Sequence, residues 1–368
     1  MSDNIKALKA ALLPLKEKKL KMLIGLDGFV DEIIHVVNKR VDFKTFDRIP
    51  TIAVFGEKVS AAAGLSANFE FVPVQVKLGG NGPIFANALI EYGAKVKYAG
   101  ALGNPVNPVF ADMAAKAEVF PICEPGHTDA LEFEDGKLML GKHAYLREIT
   151  WDSFCRVLGG AEKIAEIADE SDLFGMENWT MLPHMSEVWR GVIENVIPLM
   201  KAKERRTIAF FDLADPEKRT KQDIADALKL IPQFNSKFYT ILGLNEKECY
   251  EIADVLGVKS ASFKEAVTGI YAALGADALV VHPTKLAACC DKTGYYEVAG
   301  PYCEKPVLTT GAGDNFNAGF CLGQSLGLNA QESVTLGVAT SGFYVRNAHS
   351  PNFDDILGFL DKWDAGEF

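Results

Sequence analysis

The segment from Thr309 to Phe320 combines small residues with a single acid in a pattern that suits anion chemistry. Gly311, Ala312 and Gly313 have little or no side chain, so their backbone N–H groups can approach a ligand closely. If they begin a helix, those N–H groups lack partners within it, and the helix dipole favours negative charge there. Such a helix start is an anion site. Because Asp314 follows directly and would repel an anion, we expect it to act as a base.

A glycine-rich turn, Leu78 to Pro83, leads into a predicted helix. It could be an ordinary connection between a strand and a helix. Alternatively, the paired Gly80 and Gly82 would let a polyol approach the backbone, and Asn81 could donate and accept hydrogen bonds. Both interpretations stay open at this point.

Two acidic segments follow predicted strands and also have two interpretations each. Asn245 with Glu248 is a capping-box arrangement, which explains the pair without a ligand. Its position after a strand keeps it open as a metal or phosphate site. Asp27 and Asp31 are either surface acids or carboxylates that hold sugar hydroxyls, and we favour Asp31 for the second role.

The elements that must position these residues alternate between strands and helices. The segment 21–26 predicts a buried strand, and 84–92 predicts a helix with Pro83 at its first position and Gly93 beyond its end. Strands then alternate with helices, which predicts an α/β fold with a doubly wound, mostly parallel sheet flanked by helices. The further predicted strands are 95–98, 172–176, 207–212, 238–242 and 277–282, and the further predicted helices lie near 186–203, 217–230 and 246–256.

Two segments, 32–76 and 131–149, are rich in strand patterns but do not alternate with helices. The second contains the hairpin-like residues 134–137 between two apolar runs. We interpret both segments as strands of a small β lid over the main sheet.

Composition limits the class of protein. The chain has 368 residues, is 48% hydrophobic and carries a net charge of −11, which excludes the basic surface typical of nucleic-acid binding. No run approaches the ~20 apolar residues of a membrane span, and no signal peptide is recognisable. Seven cysteines without a CxxC pair and six histidines without metal spacing favour a reduced cytoplasmic protein without structural zinc or a membrane partner.

Taken in order, these segments resemble the ribokinase-like carbohydrate kinases, also called the PfkB family. The C-terminal signature of that family runs Asp-Thr-x-Gly-Ala-Gly-Asp-x-Phe, followed by small residues and Gly-Phe. The segment from Thr309 to Phe320 matches it, and only Leu308 differs, where the family has Asp.

The other family motifs follow in the correct order. The N-terminal signature matches at Gly79, Gly80 and Gly93, and the NxxE motif matches at Asn245 and Glu248. The resemblance covers about residues 20–350, and it implies one ribokinase-like domain over residues 1–368.

The resemblance implies a sugar kinase that transfers the γ-phosphate of ATP to a hydroxyl of a small carbohydrate. Asp314 would be the base, and the residues from Gly311 to Gly313 would form the anion hole. Glu248 and Asn245 would position Mg²⁺, and a monovalent cation is a further cofactor to consider. The sugar-binding residues that it implies are Asp31, Gly79, Gly80 and Asn81. The residues expected near the nucleotide are Thr310, Lys285 and Asn347.

Three positions differ from the family pattern and define the alternatives. Ile84 replaces an Asn of the N-terminal signature, Leu308 replaces an acid, and residues 282–287 lack the glycines of the family's nucleotide loop. These differences leave room for a nucleoside or ADP-dependent kinase, or for a non-catalytic protein that binds sugar or nucleotide. Lid strands in this family often pair between subunits, so a homodimer through the lid is also expected.

Overall fold

The computed structural model describes residues 2–368, which form fourteen strands and thirteen α-helices. The strands are β1 (Lys21–Leu26), β2 (Phe29–Arg40), β3 (Phe46–Arg48), β4 (Phe71–Gly79), β5 (Lys95–Gly100), β6 (Glu118–Pro121), β7 (Gly126–Phe133), β8 (Gly136–Lys142), β9 (Leu173–Met176), β10 (Thr207–Asp212), β11 (Phe238–Leu244), β12 (Ala278–Val281), β13 (Leu286–Asp291) and β14 (Gly294–Ala299). The helices are α1 (Ser2–Leu12), α2 (Ile52–Ala61), α3 (Asn81–Glu91), α4 (Ala111–Lys116), α5 (Trp151–Leu158), α6 (Ala161–Glu170), α7 (Met185–Gly191), α8 (Lys221–Leu228), α9 (Glu246–Val255), α10 (Phe263–Leu274), α11 (Ala312–Leu326), α12 (Ala330–Asn347) and α13 (Phe353–Asp364).

The larger sheet has nine strands in the order β14-β13-β12-β11-β10-β9-β1-β5-β6. The seven strands from β12 to β6 are parallel, and β13 and β14 continue the sheet antiparallel at one edge. This arrangement confirms the predicted α/β fold with a mostly parallel sheet.

Helices cover both faces of the larger sheet, which explains why its central strands, β9 to β12, are mostly apolar. In β10, Ile208 and Phe210 pack into the core on one face, while Ala209 and Phe211 pack into the core on the other. Helices α1, α3, α4, α11, α12 and α13 cover the first face, and α5 to α10 cover the second. Among the helices of residues 2–368, none has the length and apolar character that a membrane span requires.

The smaller sheet contains β2, β3, β4, β7 and β8, all from the two segments predicted to be strand-rich or their immediate flanks. The predicted hairpin is present, because Phe133 pairs with Gly136 across a two-residue turn. One difference is α2, a helix inside the first segment. Its Phe55 packs with Ile34 and Leu131 in a separate apolar cluster, so this helix covers one face of the smaller sheet.

The helix predicted near 186–203 also differs from the structure. Helix α7 ends at Gly191, and the chain continues through one wider π-helical turn and a short 3₁₀ turn. Pro198 lies in that last turn, where its missing N–H and fixed φ prevent a regular helix from continuing.

Close packing on α12 fixes the position of α11, the helix that contains Asp314. A Cβ atom added at Gly319 of α11 would lie 2.9 Å from the carbonyl oxygen of Leu336 and would also meet Thr340. The two helix backbones therefore approach each other at a distance that only glycine permits.

We predict that Gly319→Ala lowers the free energy of unfolding by about 1–3 kcal/mol, because the added methyl must push the two helices apart. The matched control is Gly358→Ala in α13, where an added Cβ meets no atom within 4 Å. That change should raise the stability by up to about 1 kcal/mol through helix propensity alone. Urea denaturation measures both, and equal effects of the two substitutions would contradict the packing argument.

Candidate active site

Helix α11 begins in the conformation that an anion site requires. Gly311 precedes it with φ of 91°, a left-handed conformation that favours glycine. The N–H of Ala312 donates to the carbonyl of Thr309 at 3.0 Å, so it is not free to bind a ligand. Within residues 2–368, the N–H groups of Gly311 and Gly313 have no acceptor. Of the three backbone N–H groups in the predicted anion hole, those of these two glycines are therefore free to bind a ligand.

Neighbouring side chains explain why both positions are glycine. A Cβ at Gly311 would lie 2.9 Å from the hydroxyl of Tyr344 and 3.1 Å from Ile84, and one at Gly313 would lie 3.0 Å from the ring of His282. The helix start is thus held between Tyr344 and Ile84 on one side and His282 on the other.

The carboxylate of Asp314 is buried, with 7% of the residue exposed. Burial raises the pKa of Asp314 to about 8, and the negative charges of Asp27 and Glu248 act in the same direction. The amide of Asn81 opposes the effect, because its Nδ2 donates to Oδ1 of Asp314 at 2.9 Å. This hydrogen bond brings together Asn81 and Asp314, which are 233 positions apart in the sequence.

The glycine-rich turn lies directly on two acidic side chains. Added Cβ atoms at Gly80 and Gly82 would lie 3.0 and 2.7 Å from the carboxylate oxygens of Asp27, and one at Gly79 would collide with the carboxyl group of Asp31. The glycines are therefore explained by these acids without any bound polyol. Burial raises the pKa of Asp31, whose side chain points at the backbone of Gly79.

Two further buried acids lie at the carboxyl ends of neighbouring strands. Glu177 follows β9 and Asp212 ends β10. Both oxygens of Glu177 and one of Asp212 have no hydrogen-bond partner within residues 2–368. Burial raises the pKa of both groups well above the usual range, reinforced for Glu177 by the charge of Asp212 and for Asp212 by that of Glu248.

Sequence reasoning did not select Glu177. The available signal was its position directly after a predicted strand of a parallel sheet, where ligands of such folds bind.

The NxxE pair forms the capping box that its spacing predicts. Asn245 accepts the N–H of Glu248 at 2.9 Å, and Glu248 accepts the N–H of Asn245 at 2.9 Å and that of Asp215 at 2.9 Å. Asp215 and the preceding Ala214 both have positive φ. Burial raises the pKa of Glu248, and its backbone N–H partners oppose this. Within residues 2–368, no three His, Cys, Asp or Glu side chains are arranged to hold a metal ion.

A cavity of about 430 Å³ lies on the His282 side of the helix start. Asn245 and Lys285 line it, and Lys285 lies over the ring of Tyr302 at 5.5 Å. The remaining lining includes Phe316, Thr309, Ser341, Val345 and Arg346.

Two residues predicted to contact the nucleotide do not line this cavity. Asn347 is exposed and donates to the carbonyl of Phe343 in its own helix at 2.9 Å. Residues 338, 341, 342 and 345 face the cavity from α12, and Asn347 lies on another side of that helix. Thr310 is replaced in the lining by Thr309, and its carbonyl accepts the hydroxyl of Tyr344 at 2.8 Å.

A second cavity of about 870 Å³ lies on the other side of the helix start, between the smaller sheet and α3. Tyr344, Ile84 and Leu308 form an apolar side of it, and Gln75 and Lys77 of β4 contribute polar groups. The N-terminus of α11 therefore separates two cavities, each large enough for a small molecule.

Solved structures with the same architecture are ribokinase-fold kinases. One is a mutant phosphofructokinase-2 from Escherichia coli, with a TM-score of 0.64, 15% identity, and coverage of 94% of this chain and 99% of that one. Another is Arabidopsis thaliana ribokinase complexed with ribose and ATP, with a TM-score of 0.61, 15% identity, and coverage of 93% and 98%. At such identities the likeness shows the fold alone, which is the ribokinase-like fold.

The sequence comparisons define the family. The family model for prokaryotic ketohexokinase matches residues 3–363. A ketohexokinase from Haloferax volcanii is 31% identical over 352 residues, covering 94% of this chain and 93% of the relative. The chain belongs to the prokaryotic ketohexokinase family. It is a sugar kinase, a phosphotransferase that acts on a hydroxyl group, which sets aside the non-catalytic alternative.

The raised pKa of Asp314 gives a testable link between stability and pH. Between about pH 4 and pH 8 the folded protein keeps this proton and the unfolded chain releases it, so the free energy of unfolding falls as pH rises through that range. The substitution Asp314→Asn removes this pH-dependent decrease in the free energy of unfolding. Its melting temperature should exceed that of the wild type by a few degrees at pH 8.5, and the difference should shrink towards pH 5.

The control is Asp47→Asn in β3, an exposed acid of the smaller sheet. It should change the melting temperature by less than about 1 °C at both pH values, as surface substitutions usually do. An Asp314→Asn variant that is less stable than the wild type at every pH would show that the carboxylate is ionised and well paired.

Proposed function

We propose that this sugar kinase transfers the γ-phosphate of ATP to a hydroxyl group of a ketohexose, with Asp314 as the general base. The observation that carries the proposal is the start of α11, where the carboxylate of Asp314 lies beside the unpaired N–H groups of Gly311 and Gly313. Cavities on both sides of this point could receive a donor and an acceptor. We propose a ketohexose because the Haloferax relative is a ketohexokinase.

Asp314 has the chemistry of a base that works near neutral pH. A carboxylate whose pKa is raised towards the working pH takes a proton more readily than an exposed one. Asn81 binds Oδ1, which leaves Oδ2 for the acceptor. In our proposal, Oδ2 accepts the proton of the sugar hydroxyl as the sugar oxygen forms its bond to the γ-phosphorus and the bond from that phosphorus to the departing ADP breaks.

The two free N–H groups would act on the charge of the transferring phosphoryl group. Phosphoryl transfer depends mainly on positioning and on electrostatic stabilisation. Donors that are already oriented need no rearrangement when charge develops on the phosphoryl oxygens. Gly311 and Gly313 meet this requirement, because Tyr344, Ile84 and His282 hold them in place.

The residues present fit a bound magnesium nucleotide. The cavity beside His282 combines apolar surface from Phe316 and Val345 with polar groups at Asn245 and Lys285. Both Glu248 oxygens already accept backbone N–H groups, so contact with Mg²⁺ through water suits this side chain. When bound, ATP would supply the phosphoryl group, and its Mg²⁺ would supply a positive charge beside the buried acids. Lys285 would contact a phosphate. Because ATP is the proposed donor, we also propose that the protein is cytoplasmic.

The acceptor would bind between the smaller sheet and α3. Asn81 can offer its amide oxygen to a sugar hydroxyl, and Gly79 and Gly80 let the chain pass close to the ligand. Asp31 stays a proposed sugar ligand, although it would have to turn from the backbone of Gly79. The smaller sheet would act as a lid that excludes water from the phosphoryl group.

The function is tested with a panel of donors and acceptors, with product detection by phosphorus NMR. We expect ATP with a ketohexose to give a kcat/KM at least about tenfold above that of aldohexoses or nucleosides. We expect Asp314→Asn to reduce kcat by about 10²–10⁴-fold while the protein stays folded, because the general base is lost.

The control for this loss is Asp112→Asn, which changes an exposed acid of α4 and should leave kcat within about twofold. A nucleoside as the best acceptor, or ADP as the best donor, would replace the proposed reaction with one of the alternatives. Full activity of Asp314→Asn would remove Asp314 as the base.

We also propose a homodimer through the smaller sheet. Strand β4 pairs only with β2 within residues 2–368, so its other edge is free. Val74 and Val76 on this strand are 49% and 54% exposed, which is unusual for valine in a strand and typical of a contact surface.

Light scattering at micromolar concentration should give a mass near twice that of the chain. Val76→Lys should shift it to the monomer, because a buried charge opposes association. The control Val59→Lys, on the exposed side of α2, should leave the dimer intact. A wild-type monomer would remove this part of the proposal.

A further inference from the structure

The reaction proposed above gives no role to Asp27. It follows β1, is fully buried, and its carboxylate accepts three N–H groups. Oδ2 accepts the backbone N–H of Asn81 at 3.0 Å and Nδ2 of Asn178 at 2.7 Å, and Oδ1 accepts the backbone N–H of Gly82 at 2.9 Å. No lysine or arginine within residues 2–368 pairs with this carboxylate. The carboxylate is therefore held by three amide groups, and although burial raises its pKa, the nearby Tyr98 hydroxyl also acts to lower it.

A buried carboxylate is a costly way to hold the start of a helix. Asn or Ser at such a position satisfies helix N–H groups without a charge to desolvate. What a carboxylate adds is two acceptor oxygens with strong, short hydrogen bonds, which can fix several donors at once. Here two of the three fixed donors, the backbone N–H groups of Asn81 and Gly82, belong to consecutive residues of the glycine-rich turn, so the charge holds the backbone of that turn.

Asn81 is the residue through which this constraint reaches the reacting groups. Its backbone N–H is bound to Asp27, and its side-chain Nδ2 is bound to Asp314. The turn cannot move towards Asp27, because Gly80 and Gly82 already lie against the carboxylate. The position of the Asn81 main chain, and with it the direction of its side chain, is set from one side by Asp27.

We propose that Asp27 is a positioning residue of the kinase reaction, which holds Asn81 so that the Asn81 amide keeps the Asp314 carboxylate oriented towards the acceptor. This inference rests on the proposed function, because it takes Asp314 to be the base. Asp27 itself touches neither substrate nor nucleotide in this account. Its effect passes through a main-chain hydrogen bond, one side chain and a second hydrogen bond.

The test uses Asp27→Asn, which keeps the shape of the side chain but turns one acceptor oxygen into an NH₂ group facing N–H donors. We expect kcat to fall by about 10–100-fold, because small displacements of a reacting group cost this much. KM for ATP should change by less than about threefold, since the nucleotide cavity is not lined by this turn. A purely structural role would instead reduce the amount of folded enzyme and leave kcat per active site unchanged.

Coupling between Asp27 and Asn81 is the sharper readout. Asn81→Ala should lower kcat alone, and the double variant Asp27→Asn with Asn81→Ala should be no slower than Asn81→Ala, because both act through the same hydrogen bond. Independent, multiplying losses would overturn the proposal. If Asp27→Asn does not fold, Asp27→Ser keeps a helix-capping hydroxyl without the charge, and the same coupling is expected.

The matched control is Tyr98→Phe. The Tyr98 hydroxyl donates to the main-chain carbonyl of Asp27 at 2.8 Å and lies near the Asp27 carboxylate, but it has no hydrogen bond to Asn81 within residues 2–368. This variant should lose stability and keep kcat within about threefold. A loss of kcat as large as that of Asp27→Asn would show a general disturbance and overturn the proposal. A wild type without kinase activity on ketohexoses would refute the proposed function, whereas an active wild type with a fully active Asp27→Asn would refute only this inference.

Discussion

Five acidic side chains are buried at one edge of the parallel sheet, and the rest of the site depends on how their negative charge is compensated. Asp27, Glu177, Asp212, Glu248 and Asp314 are all buried, and within residues 2–368 none of them forms an ion pair with a basic side chain. Isolated charges in a protein interior are too costly to persist without compensation. The protein compensates with backbone N–H groups and Asn amides, with protons held at raised pKa values, and, in the proposed reaction, with the positive charge of the Mg²⁺ that accompanies the nucleotide.

This constraint explains local features that otherwise look unrelated. The glycine-rich turn into α3 brings its backbone onto Asp27 and Asp31, and the loop after β10 adopts positive φ at Ala214 and Asp215, where the Asp215 N–H meets Glu248. The same groups that satisfy the acids also orient them. A site built in this way suits a metal cation, which brings positive charge, and a hydroxyl group, which brings a transferable proton. Phosphoryl transfer to a hydroxyl involves both.

The sequence predicts the framework well and the finer contacts less well. Alternating strands and helices predicted the parallel sheet, and the segment around Asp314 predicted the start of α11, because both depend on short-range patterns. The placement of Asn347 and the omission of Glu177 share another cause. Each depends on which side of an element faces the site, and that is decided by packing between distant parts of the chain. Strand ends in a parallel fold were the one general signal for Glu177.

The most direct test of the account is a crystal structure with a ketohexose and a non-hydrolysable ATP analogue with Mg²⁺. The quantity to measure is the distance from the Asp314 carboxylate to the nearest sugar hydroxyl. The account predicts about 3 Å, with that hydroxyl facing the terminal phosphate and the Asn81 amide still bound to the other carboxylate oxygen. A sugar whose phosphate-facing hydroxyl binds Glu177 or another group, with Asp314 out of reach, would contradict the account.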